Sequence, residues 1–92
     1  METITESSGN VFADLDFSAE ESVLLAMRAE LMARLRETIA ERGWTQTEAA
    51  SHLGIGQSRV SDLVRGKWEK FSLDMLVTLA TRAGRKVAVA IA

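Results

Sequence analysis

Apolar residues first recur at helical spacing between Leu24 and Ile39, where they stand three or four positions apart. This period predicts one amphipathic helix. Ser18 and Glu21 have the spacing of a capping box, and Gly43 suits a helix end, so the helix should span about 25 residues and ~37 Å unless it breaks near residues 25–29. Its predicted apolar stripe comprises Leu24, Met27, Leu31, Leu35 and Ile39.

Two shorter helices follow and are joined by a tight turn. Thr45 and Glu48 form a second capping-box pattern, and Gly54 can adopt the left-handed conformation that ends a helix. The second short helix then runs from Gln57 to about Arg65. Its apolar face carries Val60, Leu63 and Val64, and its opposite, polar face carries Ser58, Ser61, Asp62 and Arg65.

The spacing of apolar residues changes near the C-terminus. Ser72 is placed to cap one more helix, which Gly84 should end. From Arg85 onward branched apolar residues alternate with others, and this period of two predicts a short β-strand. Because a single strand has no partner in a helical chain, we expect it to pair with a second copy of the chain or with another protein. The predicted dimerisation residues are Val87, Val89 and Ile91.

Charge is unevenly distributed along the chain of 92 residues, whose formal net charge is −2. Residues 1–22 hold six acids and no Lys or Arg, whereas the rest of the chain holds eleven bases and seven acids, a net charge of +4. The basic body can therefore meet phosphates, and the acidic arm cannot.

The composition offers no basis for catalysis. The chain has no Cys and one His, and it lacks a glycine-rich phosphate loop, so neither nucleophilic nor metal chemistry is indicated. We therefore expect a binding protein that is not an enzyme and that needs no cofactor or metal. No signal peptide or membrane-spanning run is visible, which favours a cytoplasmic protein.

The pair of short helices resembles the helix-turn-helix of the Xre/Cro family of phage-type repressors. The resemblance is carried by residues 45–50 (Thr-Gln-Thr-Glu-Ala-Ala), 53–55 (Leu-Gly-Ile) and 57–61 (Gln-Ser-Arg-Val-Ser), with Leu63 and Gly66. Residues 10–15, 66–73 and 83–87 are also similar to HigA-like antitoxins of toxin–antitoxin pairs, so the resemblance covers about residues 10–90. Gly56 departs from the family pattern, which often has Ser or Thr at that position.

In such a fold the second short helix is the recognition helix, and residues at its N-terminal tip reach base edges in the major groove. Gln57 can pair with adenine, and an arginine can pair with guanine. A solvated helix face without DNA contacts is the alternative for the same residues. The predicted DNA-binding residues are Gln46, Thr47, Gln57, Ser58, Arg59, Ser61, Asp62, Arg65 and Lys67, with Lys70 as a further phosphate contact.

An acidic segment with apolar side chains precedes the first helix. The resemblance implies that it binds a HigB/RelE-like RNA-cleaving toxin, which should be basic where RNA lies. The residues alone show only an acidic, apolar arm, and a tail that folds onto its own domain is the alternative. The predicted toxin-binding residues are Val11, Phe12, Asp14, Leu15, Asp16 and Phe17.

The sequence thus predicts an all-α fold, a repressor-like helix-turn-helix domain of four to five helices with a short C-terminal β-strand. Residues 1–17 would form a flexible acidic arm, and residues 18–92 would form the DNA-binding and dimerisation domain. Two copies would bind double-stranded DNA at an inverted repeat, with recognition helices about 34 Å apart. The resemblance implies an antitoxin that neutralises its toxin and represses its own operon, and a stand-alone repressor without a toxin partner is the alternative.

Overall fold

Four α-helices and one 3-10 turn follow one another in the computed structural model, which describes residues 17–92. The elements are α1 (Ala19–Arg42), α2 (Gln46–Leu53), α3 (Gln57–Val64), the 3-10 turn Trp68–Lys70 and α4 (Leu73–Arg82). Helix α1 packs mainly against α4, and α2 packs mainly against α3. The described part of the chain is therefore all-α, with a helix-turn-helix at its centre, as predicted.

Helix α1 is one unbroken helix of 24 residues. The Ser18 hydroxyl accepts a hydrogen bond from the Glu21 amide at 3.1 Å, and the Glu21 carboxylate accepts one from the Ser18 amide at 2.9 Å. Gly43 ends the helix with a left-handed φ of 66°. Because both ends are capped and no Gly or Pro lies between them, the helix continues through residues 25–29.

The buried face of α1 matches the predicted stripe only in its second half. Leu35 and Ile39 are buried, as predicted. Leu24 and Met27 are 43% and 36% exposed, whereas the neighbouring Leu25 is 5% exposed. Apolar spacing identifies the helix, but it does not show which of two adjacent stripes the other elements will cover. The first half of α1 consequently leaves large apolar side chains at the surface.

The core draws on all four helices and on the loop before α4. Helix α4 begins where the Ser72 hydroxyl accepts from the Met75 amide at 3.1 Å, as the sequence predicts. Its apolar face then closes the core against α1. The buried core cluster comprises Met32, Leu35, Ile39, Ala49, Leu53, Val60, Leu63, Phe71, Leu76, Leu79, Ala80 and Ala83.

The predicted C-terminal β-strand is wrong, because no residue between 17 and 92 lies in a strand. Residues 85–92 instead leave α4 as an irregular tail. A strand needs a neighbouring backbone with unpaired N–H and C=O groups, and the described elements are helices that use these groups internally. Along the tail the exposure of Val87, Val89 and Ile91 rises from 37% to 75% and 92%.

Arg85 fastens the start of the tail to α1. Its Nε donates to the Thr38 Oγ1 at 2.8 Å, and its Nη2 lies 3.6 Å from the Glu41 Oε1. A groove of about 380 Å³ opens between the tail and α1, and its lining includes the apolar side chains of Leu31 and Val87. The tail therefore starts from a fixed point and presents apolar side chains beside a partly apolar groove.

Candidate DNA-binding site

The turn between α2 and α3 is held by one hydrogen bond from its own backbone and one from a side chain of α4. Gly54 ends α2 with a φ of 70°, and its amide donates to the Ala50 carbonyl at 2.8 Å. The Leu53 carbonyl accepts a hydrogen bond from the Arg82 Nη1 of α4 at 2.9 Å. A Cβ at Gly54 would lie 3.2 Å from that guanidinium nitrogen, so both the backbone conformation and the space favour glycine. Helices α2 and α3 therefore meet in a defined orientation.

The inner sides of α2 and α3 are sealed from solvent. Ala49 and Leu53 of α2, and Val60 and Leu63 of α3, each have 0% exposure. Val64, which was predicted to share this face, is 39% exposed and lies at its edge. With one side fully buried, α3 presents its other side outward.

The N-terminal tip of α3 is exposed and carries a glutamine that is hydrogen-bonded to α2. The Gln57 Nε2 donates to the Thr47 Oγ1 of α2 at 2.6 Å. The second Nε2 hydrogen and the Oε1 of Gln57 stay available, and these are the donor and acceptor that a glutamine uses to pair with adenine. Thr47 therefore restrains the side chain that the sequence marks as a base reader.

Gln46 and Ser58, which adjoin Thr47 and Gln57 in the sequence, lie at the same exposed edge. Gln46 begins α2, Ser58 follows Gln57 on α3, and both are exposed. Gly56 supplies no side-chain cap to α3, so amides of its first turn are left for another acceptor, such as a phosphate oxygen. The structure thus gathers these four predicted DNA-binding residues at one end of the helix pair.

Arg59 is turned toward the loop that follows α3. Its Nη2 donates to the Lys70 carbonyl at 3.3 Å, and its guanidinium lies 4.8 Å from the centre of the Phe71 ring. Its Nε is buried without a hydrogen-bond partner among the described residues. In this conformation Arg59 holds the loop beside α3, and it is not gathered with Gln57 at the tip.

The remaining predicted residues lie along the flank of α3 and the following loop. Ser61 and Asp62 are half-buried, and Arg65 is exposed immediately after the helix. The Lys67 Nζ lies 4.0 Å from the Asp62 Oδ1. This weak surface ion pair leaves Lys67 within reach of a phosphate, which would compete with Asp62 for the ammonium group. Lys70 is exposed in the same loop.

The only histidine of the chain has a packing partner that the sequence did not indicate. The His52 ring stacks on the Trp44 ring with centroids 4.1 Å apart and planes 12° apart. The Arg42 guanidinium lies 5.4 Å from the Trp44 ring. Trp44 lies in the connection between α1 and α2, and His52 lies in the last turn of α2, so no periodic pattern links the two rings in the sequence.

The predicted toxin-binding segment is described only at its end. Phe17 is half-buried, and its ring meets the Trp68 ring edge-on with centroids 6.5 Å apart. This contact joins the residue just before the capped start of α1 to the 3-10 turn that follows α3. The residues that lie outside the described range are Val11, Phe12, Asp14, Leu15 and Asp16.

None of the described helices combines the length and the apolar character needed to cross a bilayer.

Comparison with known proteins supports the same interpretation of the fold. No curated protein matches the chain significantly. A family profile described as a helix-turn-helix domain matches residues 11–92, a range that includes all four helices and the tail. Since the match spans most of the chain and α2 and α3 have the corresponding geometry, the protein belongs to the helix-turn-helix domain family.

Proposed function

We propose that this protein is a sequence-specific DNA-binding repressor that acts as a two-fold homodimer and serves as the antitoxin of a basic, RNA-cleaving toxin. It acts by binding and catalyses no reaction. The DNA-binding part is supported by the family and by the exposed polar edge of α2 and α3. The antitoxin part is supported by the resemblance of residues 10–15, 66–73 and 83–87 to HigA-like antitoxins and by the acidic arm.

The observation that carries the DNA-binding proposal is the hydrogen bond between Gln57 and Thr47. A glutamine with several free rotamers loses conformational entropy when it binds a base. A hydrogen bond to the neighbouring helix reduces that loss because it restrains the side chain before binding. The bond lies on the outer side of a helix pair whose inner side is buried, so the restrained amide faces outward, where DNA would bind, and not the core.

Footprinting of the DNA upstream of the reading frame tests this proposal. The expected result is a protected inverted repeat whose half-site centres lie about one helical turn apart, close to 34 Å. The affinity should fall steeply with salt, because phosphate contacts release counterions. Protection without two-fold symmetry would contradict the dimer, and no protected site would contradict sequence-specific binding.

The Lys67→Gln variant tests the phosphate contacts. We expect affinity to fall to a similar extent on operator and unrelated DNA, and the slope of log K against log salt to flatten by about one unit. Mobility-shift titrations at several salt concentrations measure both quantities. Lys86→Gln is the matched control, since it removes the same charge from the tail. An unchanged slope for Lys67→Gln would remove this residue from the phosphate contacts.

Self-association is supported by the apolar tail. Val89 and Ile91 are among the most exposed large apolar side chains of the described residues. They lie beyond the groove between the tail and α1, and a second copy that covers them would remove this apolar surface from water. The contact that we propose is between side chains and does not require a β-ladder. A two-fold axis through such a contact would give the dimer that an inverted repeat requires.

The double variant Val89→Ser/Ile91→Ser should weaken self-association by about 2 kcal/mol or more. The reason is that full burial of each aliphatic side chain contributes roughly 1.5–3 kcal/mol. Sedimentation equilibrium measures the monomer–dimer constant. Ala90→Ser on the same tail is the control and should leave the constant nearly unchanged. A dimer of wild-type strength in the double variant would place the interface on another surface.

The antitoxin proposal is tested by co-expression with the product of the adjacent reading frame. A small basic protein should co-purify with the full chain. The Phe12→Ser/Leu15→Ser variant should lose this partner while it retains DNA binding, because the two side chains precede the helix-turn-helix. A partner that stays bound to this variant would place the toxin contact elsewhere. Absence of any partner, together with normal repression, would favour the stand-alone repressor.

A further inference from the structure

A second groove, of about 200 Å³, lies between the start of α1 and the 3-10 turn. Most of its lining is apolar or aromatic, and one of these lining residues, Leu24, is 43% exposed although it is a large aliphatic residue. One side is closed by the edge-on contact between Phe17 and Trp68. The residues that line this groove are Phe17, Glu21, Leu24, Leu25, Arg28 and Trp68.

The charged side chains that line the groove are those of Arg28 and Glu21. The Arg28 Nε is buried and has no hydrogen-bond partner among the described residues. A buried guanidinium N–H without an acceptor costs free energy, and a carboxylate is the acceptor that satisfies it best. Glu21 lies in the same lining, and its carboxylate accepts from the Ser18 amide in the capping box but not from the Arg28 Nε. The groove therefore presents an apolar surface with one unsatisfied cationic donor.

We propose that this groove binds the chain's own residues 11–16, with Asp14 or Asp16 as the acceptor for Arg28. The segment reads Val-Phe-Ala-Asp-Leu-Asp, so it combines three large apolar side chains with two carboxylates and no base. Apolar side chains match the apolar lining of the groove, and the carboxylates match Arg28. A segment with this composition is complementary to the groove in both respects.

The connectivity of the chain favours the same occupant. Residue 16 is bonded to Phe17, which forms part of the groove wall. Six residues span at most about 20 Å, so the segment begins at the groove and stays near it. A short tether of this kind gives a local concentration in the millimolar range, and weak contacts then suffice for binding. The family match also begins at residue 11, so these residues fall within the extent of the domain family.

Docking of this segment would link the arm to the DNA-binding loop. Trp68 of the groove directly follows Lys67, and the Lys70 carbonyl of the same turn is held by Arg59 of α3. A partner that captures Phe12 and its neighbours must first displace them from the groove. The inference does not depend on the proposed toxin, because the docking is within one chain.

Nuclear magnetic resonance of the full chain tests the proposal. The two tryptophans give two indole N–H signals, which a Trp44→Phe variant assigns. In Phe12→Ser/Leu15→Ser the Trp68 signal should shift by more than its linewidth while the Trp44 signal stays in place. Glu2→Gln/Glu6→Gln, which alters the same arm outside the docked segment, is the control and should shift neither signal. An unmoved Trp68 signal in Phe12→Ser/Leu15→Ser would overturn the proposal.

A double-mutant comparison tests the role of Arg28. Asp14→Asn/Asp16→Asn should shift the Trp68 signal in the wild-type chain, but not when Arg28 is replaced by methionine, which keeps an apolar stem. Equal shifts in both backgrounds would overturn the carboxylate contact. A Trp68 shift that grows with protein concentration would assign the groove to the arm of a second copy and would overturn docking within one chain.

Discussion

The Gln57→Ala variant should bind its operator about 1–3 kcal/mol more weakly than the wild-type protein, with little loss on unrelated DNA. The truncation removes an amide that can donate to and accept from one base, and the affinity for phosphates is left intact. Titration of operators mutated at single positions measures the effect. The variant should lose discrimination at one base pair only, and equal losses on all sequences would exclude base readout by Gln57.

Thr47 provides the internal control for this prediction. Its hydroxyl accepts from Gln57, so Thr47→Val should weaken specific binding in the wild-type background. In the Gln57→Ala background the same substitution should have a much smaller effect, because its partner is already gone. Thr47→Ser, which keeps the hydroxyl, should behave like the wild type. Additive losses in the double variant would mean that Thr47 contacts DNA independently.

The Leu63→Ala variant should lose about 2–5 kcal/mol of unfolding free energy. Leu63 has 0% exposure and belongs to the cluster that holds α3 against the rest of the core. Because a small domain has only about 5–15 kcal/mol of stability in total, this loss is a large part of it. Urea denaturation followed by circular dichroism measures the change, and DNA binding should fall in parallel with the folded fraction.

Val64→Ala is the matched control for Leu63→Ala. The two residues are adjacent on α3, but Val64 is 39% exposed. Its truncation should therefore cost less than about 1 kcal/mol, because surface substitutions leave no cavity. Comparable losses in the two variants would contradict the burial of α3 on its Leu63 side.

The parts of the fold that could be predicted from sequence are those fixed by local chemistry. Both capping boxes, at Ser18 and at Thr45, form as the spacing of Ser, Thr and Glu predicts. Gly43 and Gly54 end their helices in the left-handed conformation, which glycine adopts without the steric cost of a Cβ. These features depend on residues three or four positions apart, so a linear pattern is enough to find them.

The features that the sequence did not reveal depend on which elements meet in three dimensions. The alternation of apolar and other residues at the C-terminus is typical of a strand, yet a strand forms only where a neighbouring backbone can hydrogen-bond to it. Two hydrogen bonds join different helices: one from Arg82 to the Leu53 carbonyl, and one from Gln57 to Thr47. The spacing of residue types along the chain does not predict such bonds. The candidate DNA-binding edge could be located from sequence, but the restraint on its central glutamine could not.

If the proposed dimer meets through its tails, the bonds from Arg85 to Thr38 and Glu41 have a consequence for the operator. They fix the point at which the tail departs from the helical body of the chain. In a dimer that meets through the tails, the few residues beyond Arg85 set how far apart the two recognition helices stand. Lengthening or shortening this short connector would change the number of base pairs between half-sites without altering the bases that each half-site contains.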